Sequence, residues 1–177
     1  MSAPQPPGPD SIDLASLVKP LVVPVDFRAP LRLVDGDLVA RALSRDDLRA
    51  DVDGINTSVD LIRSTRGGDW PTGPVTDQDD YLDLVWHECE LREGYSYSYA
   101  LYEHDRDYLG CCYLYPVGRR TPLSVDLLAS DVDVSWWVTA EAHERGWYER
   151  VHRSLQAWVV EDFPFTAPHW SNRVIPG

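Results

Sequence analysis

The chain has 177 residues, 44% of them apolar and 11% aromatic, enough for one globular domain with its own core. Its 16 Lys and Arg against 29 Asp and Glu leave a net charge of −13, which argues against nucleic acid as a general partner because phosphates are repelled. No apolar run approaches the roughly 18–20 residues that cross a membrane, so no membrane partner is expected.

In chain order, residues 1–30 hold seven of the 14 prolines and read as a proline-rich N-terminal arm, partly disordered, with its start at 3–9 extended. No basic start precedes an unbroken apolar run there, so no secretory signal is expected. Residues 31–177 read as the domain. Its first stretch, 31–43, is strand with Asp35-Gly36 as a turn, and 38–43 enters the sheet. Ser44 with Asp47 three residues on resembles a capping box, which starts a helix expected to reach about Asp60. Three glycines and two prolines make 66–74 a loop. Thr76 then caps a second helix whose expected face is Tyr81, Leu84, Val85, Glu88 and Leu91, and Gly94 stops it.

Strict alternation makes 95–103 a strand, 104–107 a hairpin turn and 108–115 its partner, ended by Pro116. Cys111 and Cys112 are adjacent in that strand and so point to opposite faces. With three cysteines in all, a reduced, cytoplasmic protein is expected. Residues 131–138 alternate again. A polar connection, 139–145, follows, and after Gly146 the period changes to helical, with Trp147, Val151, Ser154, Leu155 and Trp158 on one face.

That last strand–loop–helix resembles the cofactor-binding segment of the GNAT superfamily of acyl-CoA-dependent N-acyltransferases. Trp137-Val138 stands where the family has an aromatic–valine pair. A loop of pattern [Gln/Arg]-x-x-Gly-x-[Gly/Ala] follows, with His143 at its first position, Gly146 at its glycine and Tyr148 at its last small position. Trp70-Pro71 before the second helix and Phe163-Pro164-Phe165 after the third extend the likeness. The resemblance implies an α/β fold with a mixed central sheet flanked by helices. Residues 172–176 would form the strand after the third helix, and the family's fourth helix and final hairpin have no counterpart.

It also implies acetyl-CoA or another acyl-CoA as co-substrate, bound by Trp137, Val138, His143, Arg145 and Gly146, and a small amine-bearing acceptor. Asp133, inside the central strand, and Glu103, at the end of its neighbour's partner, are the candidate bases. Tyr148 offers a phenol to a phosphate or a leaving thiolate, or else a ring to the core. No metal-ligand spacing occurs. Two rivals stand beside the enzyme: a GNAT-like domain that binds a ligand or protein without catalysis, and an assembly protein pairing, as a homodimer does, through an exposed sheet edge.

Overall fold

The structure, a computed structural model, describes residues 13–177; the stretch at 3–9 lies outside them. Six strands form one sheet in chain order: β1 (Arg32–Asp35), β2 (Leu38–Ala42), β3 (Tyr97–Glu103), β4 (Asp107–Tyr115), β5 (Val132–Val138) and β6 (Pro168–Trp170). Neighbours are antiparallel except β5 and β6, which run parallel. A parallel pair needs a crossover, here α4 (Ala140–Glu144) and α5 (Trp147–Glu161). Helices α1 (Leu48–Asn56), α2 (Val59–Thr65) and α3 (Asp77–Glu93) connect β2 to β3.

The period of two in β4 and β5 sorts the core into two layers. Cys111, Tyr113, Tyr115 and Trp137 pack with Ile55, Ile62 and Leu84 of α1–α3. Cys112, Leu114, Val134 and Trp136 pack with Trp147, Val151, Leu155 and Trp158 of α5. Burying each such large side chain contributes roughly 1.5–3 kcal/mol. The strands approach closely at Gly110 (φ 142°), where a Cβ would sit 2.2 Å from the Trp137 carbonyl oxygen. From the N-terminal side, the Lys19 amide bonds the Val117 carbonyl at 2.7 Å, and Leu21, Val23 and Phe27 pack on the α5 layer.

The Ser44–Asp47 capping box forms, but the helix expected to run to about Asp60 breaks between α1 and α2. Thr57 Oγ1 bonds back to the Asp53 carbonyl at 2.8 Å, which competes with the helix ladder. Ser58 Oγ turns outward to accept from the Ala140 amide at 2.9 Å. The connection expected at 139–145 is itself helical, because Thr139 caps α4 through the Ala142 amide. The strand expected at 172–176 does not form. The Asp131 carboxylate holds the Thr166 and Ala167 amides, which brings Pro168 opposite Val132 and puts the strand four residues earlier.

α3 is also rotated from its expected face: Tyr81 is exposed, while Asp80, Leu84 and His87 are buried. The cause is polar packing. His87 Nδ1 meets Ser98 Oγ at 3.0 Å, and its ring lies 5.7 Å from that of Tyr113. Asp80 sits near Asp51 with its Oδ2 buried and without a partner. Burial, then the Asp51 charge, pushes the Asp80 carboxyl up to about 8. A raised folded-state pKa stabilises below the unfolded value, and that stability is lost as pH rises through 8. Asp80→Asn is therefore expected to stabilise the fold by about 1–3 kcal/mol at pH 8, with the gain shrinking toward pH 5; urea melts at the two pH values check this.

Candidate functional site

β5 and β6 stay paired only as far as Val134 and Trp170. Beyond them the Ser171 amide still bonds the Val134 carbonyl at 3.0 Å, and then the chain turns away. Alternation along β5 points the N–H and C=O of Trp136 into this fork. One side chain takes both: Asn172 Oδ1 accepts from the Trp136 amide at 3.1 Å, and Nδ2 donates to its carbonyl at 2.9 Å. The backbone groups of Trp136 are thus at the fork, and by the same alternation those of Val138, one of the two residues expected there, also face the β6 side, while Trp137, like Thr139, whose amide bonds the Leu109 carbonyl, turns its own toward β4.

Tyr148 belongs to the same cluster. Its ring packs 5.1 Å from Trp136. Its hydroxyl accepts from Asn172 Nδ2 at 2.7 Å and donates to the Val174 carbonyl at 2.7 Å. Burial raises its pKa. The Arg173 and Val174 amides bond the Arg66 and Thr65 carbonyls at 3.1 and 3.0 Å, so the 171–174 segment also satisfies the C-terminal end of α2. His143 is half-buried, 5.5 Å from the Tyr148 ring, and Gly146 (φ 82°) faces open space.

Asp133 is 0% exposed. Its Oδ1 accepts from Ser171 Oγ, and its Oδ2 is buried without a partner. Burial raises its pKa, against the pull of Ser171, His169 and Arg120. The second candidate base lies elsewhere. Asp133 is opposite Tyr115 at one end of β4, and Glu103 is opposite Asp107 at the other, roughly 26 Å away at strand rise. Glu103 pairs with Arg145 instead, so the two carboxylates and Arg145 do not share one site. Asp37, Glu103 and His104 could each offer a ligand atom within 4.8 Å of the others, but arginines take both carboxylates.

A cavity of about 280 Å³ opens on the α1–α3 face, lined by Arg66, Trp70, His87, Tyr113, Tyr115, Arg119 and Arg120 among others. The adjacent left-handed residues Gly67 and Gly68 (φ 77° and 81°) curl the loop after α2 around Arg120. Arg120 Nη2 reaches the Arg66 and Gly67 carbonyls at 2.5 and 2.8 Å, and its Nη1 reaches Ser171. Sequence reading missed this pocket. Its only local signals are Arg66 before two glycines and the Arg119-Arg120 pair.

No protein-family model matches the sequence, and no curated protein matches it. Solved structures do match. RimL, the ribosomal L7/L12 alpha-N-protein acetyltransferase in its apo form, superposes with a TM-score of 0.55 over 81% of this chain and 72% of its own, at 13% identity. The ribosomal-protein-S5-alanine acetyltransferase from Vibrio fischeri gives 0.55 over 75% and 68%, at 8% identity. The microcin C7 self-immunity acetyltransferase MccE, in complex with acetyl-CoA and AMP, gives 0.54 over 73% and 67%, at 10% identity. The chain therefore has the GNAT acetyltransferase fold, as the strand–loop–helix resemblance implies.

Asn172→Ala would leave the buried N–H and C=O of Trp136 and the Tyr148 hydroxyl short of partners. The expected loss is about 1–3 kcal/mol of stability, read as a lower urea midpoint, whereas a surface alanine such as Arg173→Ala should change it by less than about 0.5 kcal/mol.

Proposed function

We propose that the protein is an acyl-CoA-dependent N-acyltransferase, with acetyl-CoA as co-substrate and a small amine as acceptor. The observation that carries this reading is the Asp133 carboxylate, buried beside the β5–β6 fork with one oxygen unpartnered. An amine attacking a thioester must shed a proton, and the carbonyl oxygen needs a donor as charge builds on it. Asp133 Oδ2 is the proton acceptor and the Trp136 amide the donor. Tyr148 Oη is the group nearest the fork that could protonate the departing thiolate. Deprotonated Asp133 is the active form, so the rate should rise with pH through its raised pKa.

The geometry also sets a condition. Asn172 already holds the groups of Trp136, and Tyr148 fills the last small position of the loop. Acyl-CoA can use the fork only if 171–174 swings out. That same observation favours the second reading, a GNAT-fold domain without catalysis that binds a ligand or a protein. Roles for His143, Arg145 and Gly146 at a pyrophosphate, cytoplasmic location, and a homodimer through the edge strand β1 belong to the proposal as well.

Calorimetric titration with acetyl-CoA tests the choice. Micromolar binding by the native chain, with Asp133→Asn lowering kcat about 10²–10⁴-fold at little change in binding, supports the enzyme. Binding only by Tyr148→Ala or Asn172→Ala supports the closed, non-catalytic domain. No binding by any of the three overturns the acyltransferase reading.

A further inference from the structure

We propose that the pocket between the 66–70 loop, α3 and the end of β4 binds a small molecule carrying an oxyanion, a carboxylate or phosphate, on a flat apolar body. Arg66 is only 7% exposed. Its Nε and Nη2 reach one protein acceptor, Ser135 Oγ, both at a long 3.3 Å. Among the described residues neither Arg66 nor Arg120 has a carboxylate within 4.0 Å. Burying an unneutralised cation is costly, and proteins do so where a counter-charge arrives.

The guanidinium is held for display. It lies 4.4 Å from the centre of the Tyr113 ring and 5.3 Å from that of Trp70. Such stacking fixes its plane and leaves its edge to meet an oxyanion in two parallel hydrogen bonds. Arg120 is spent differently. Its hydrogen bonds go to carbonyls of the loop and to Ser171, whose hydroxyl also donates to Asp133. Asp133 thus answers part of the Arg120 charge through Ser171, whereas the Asp83 charge reaches Arg66 from beyond ion-pair distance. Burial, then the neighbouring Arg66 charge, brings the Arg120 pKa down to about 10, a sign of two crowded cations.

The remaining lining fits the same ligand. Arg119 pairs with Glu90 at 2.8 Å and covers the Tyr115 ring at 4.2 Å. Asp83, the acid on the α3 wall, is engaged by His87 Nε2 at 3.3 Å, and Asp69 lies exposed in the loop. In a chain of net charge −13, three arginines around one cavity run against the composition. Tyr113, Tyr115 and Trp70 supply apolar walls, and about 280 Å³ holds a ring with one acidic group.

Only the step of calling this ligand the acceptor, which would then carry both an amine and an acid, rests on the acyl-transfer reading. The pocket's charge preference does not, and the test omits acetyl-CoA so that the two fail separately. The full chain is titrated calorimetrically in low-chloride buffer with benzoate, inorganic phosphate and benzylamine, with Trp fluorescence followed in parallel through Trp70. Benzoate or phosphate is expected to bind at least about tenfold more tightly than benzylamine. Arg66→Gln is expected to weaken the anion about tenfold or more, and Arg66→Lys less, since the first loses the charged two-point hydrogen bond and the second keeps the charge. Stronger binding of phosphate assigns a phosphate ester, and of benzoate a carboxylate; either upholds the proposal. Benzylamine binding as tightly as benzoate, neither anion binding, or an Arg66→Gln chain that folds and binds anions unchanged would overturn it. If Arg66→Gln does not fold, the comparison of benzoate with benzylamine on the native chain decides.

Discussion

The structure depends on how one parallel strand pair is brought to an end. β5 is seven residues long and β6 three, so β5 keeps backbone groups on its β6 side that have no strand to meet. Those of Trp136 lie in the core, and a buried peptide group without a partner costs free energy comparable to a lost hydrogen bond. The Asn172 amide presents one acceptor and one donor side by side, as a strand peptide does, and replaces the missing neighbour. An aspartate there could not donate to the carbonyl, and a leucine could do neither.

Much of the rest follows from that contact. Fixing Asn172 aims its second N–H at Tyr148, which turns the tyrosine ring inward against Trp136. It sets Arg173 and Val174 on the open carbonyls of α2. One residue earlier, Ser171 is held between the Asp133 carboxylate and the Arg120 guanidinium, and Arg120 in turn shapes the glycine loop behind Arg66. The fork and the arginine pocket therefore share a single short segment. A molecule taking the peptide groups of Trp136 must displace Asn172, and moving Asn172 loosens Ser171, which removes a partner from Asp133 and from Arg120 together. Such coupling is carried by a contiguous chain of hydrogen bonds.

What was legible in the sequence is what local physics decides. Alternation located β3, β4 and β5, and the change of period after Gly146 located α5. Ser44 with Asp47, Thr76 and Gly94 marked helix ends by capping chemistry that acts over three or four residues. The readings that missed were settled by contacts distant in sequence. The face of α3 is chosen by Ser98 and Tyr113 pulling His87 inward, which no periodicity within the helix records. The place of β6 is chosen by the Asp131 carboxylate some 35 residues back. Glu103 ends β3 and Asp133 starts β5, and with β4 antiparallel to both these two strands run the same way, so the carboxylates fall at opposite edges of the sheet.

The arginine pocket shows the limit in a different form. Net charge is a sum over the chain, and a sum of −13 speaks only against polyanions such as nucleic acid as general partners. Binding responds to the local field, within a Debye length of about 8 Å at physiological salt and less screened still in a cleft walled by apolar side chains. Arg66 lies 53 and 54 residues from Arg119 and Arg120 in sequence, and only the curl of the 66–70 loop brings them together. Acidic residues elsewhere on the surface repel anions at long range. Inside the cavity Arg66, Arg119 and Arg120 face Asp69 and Asp83, and in the proposed site it is this local positive excess that selects what enters.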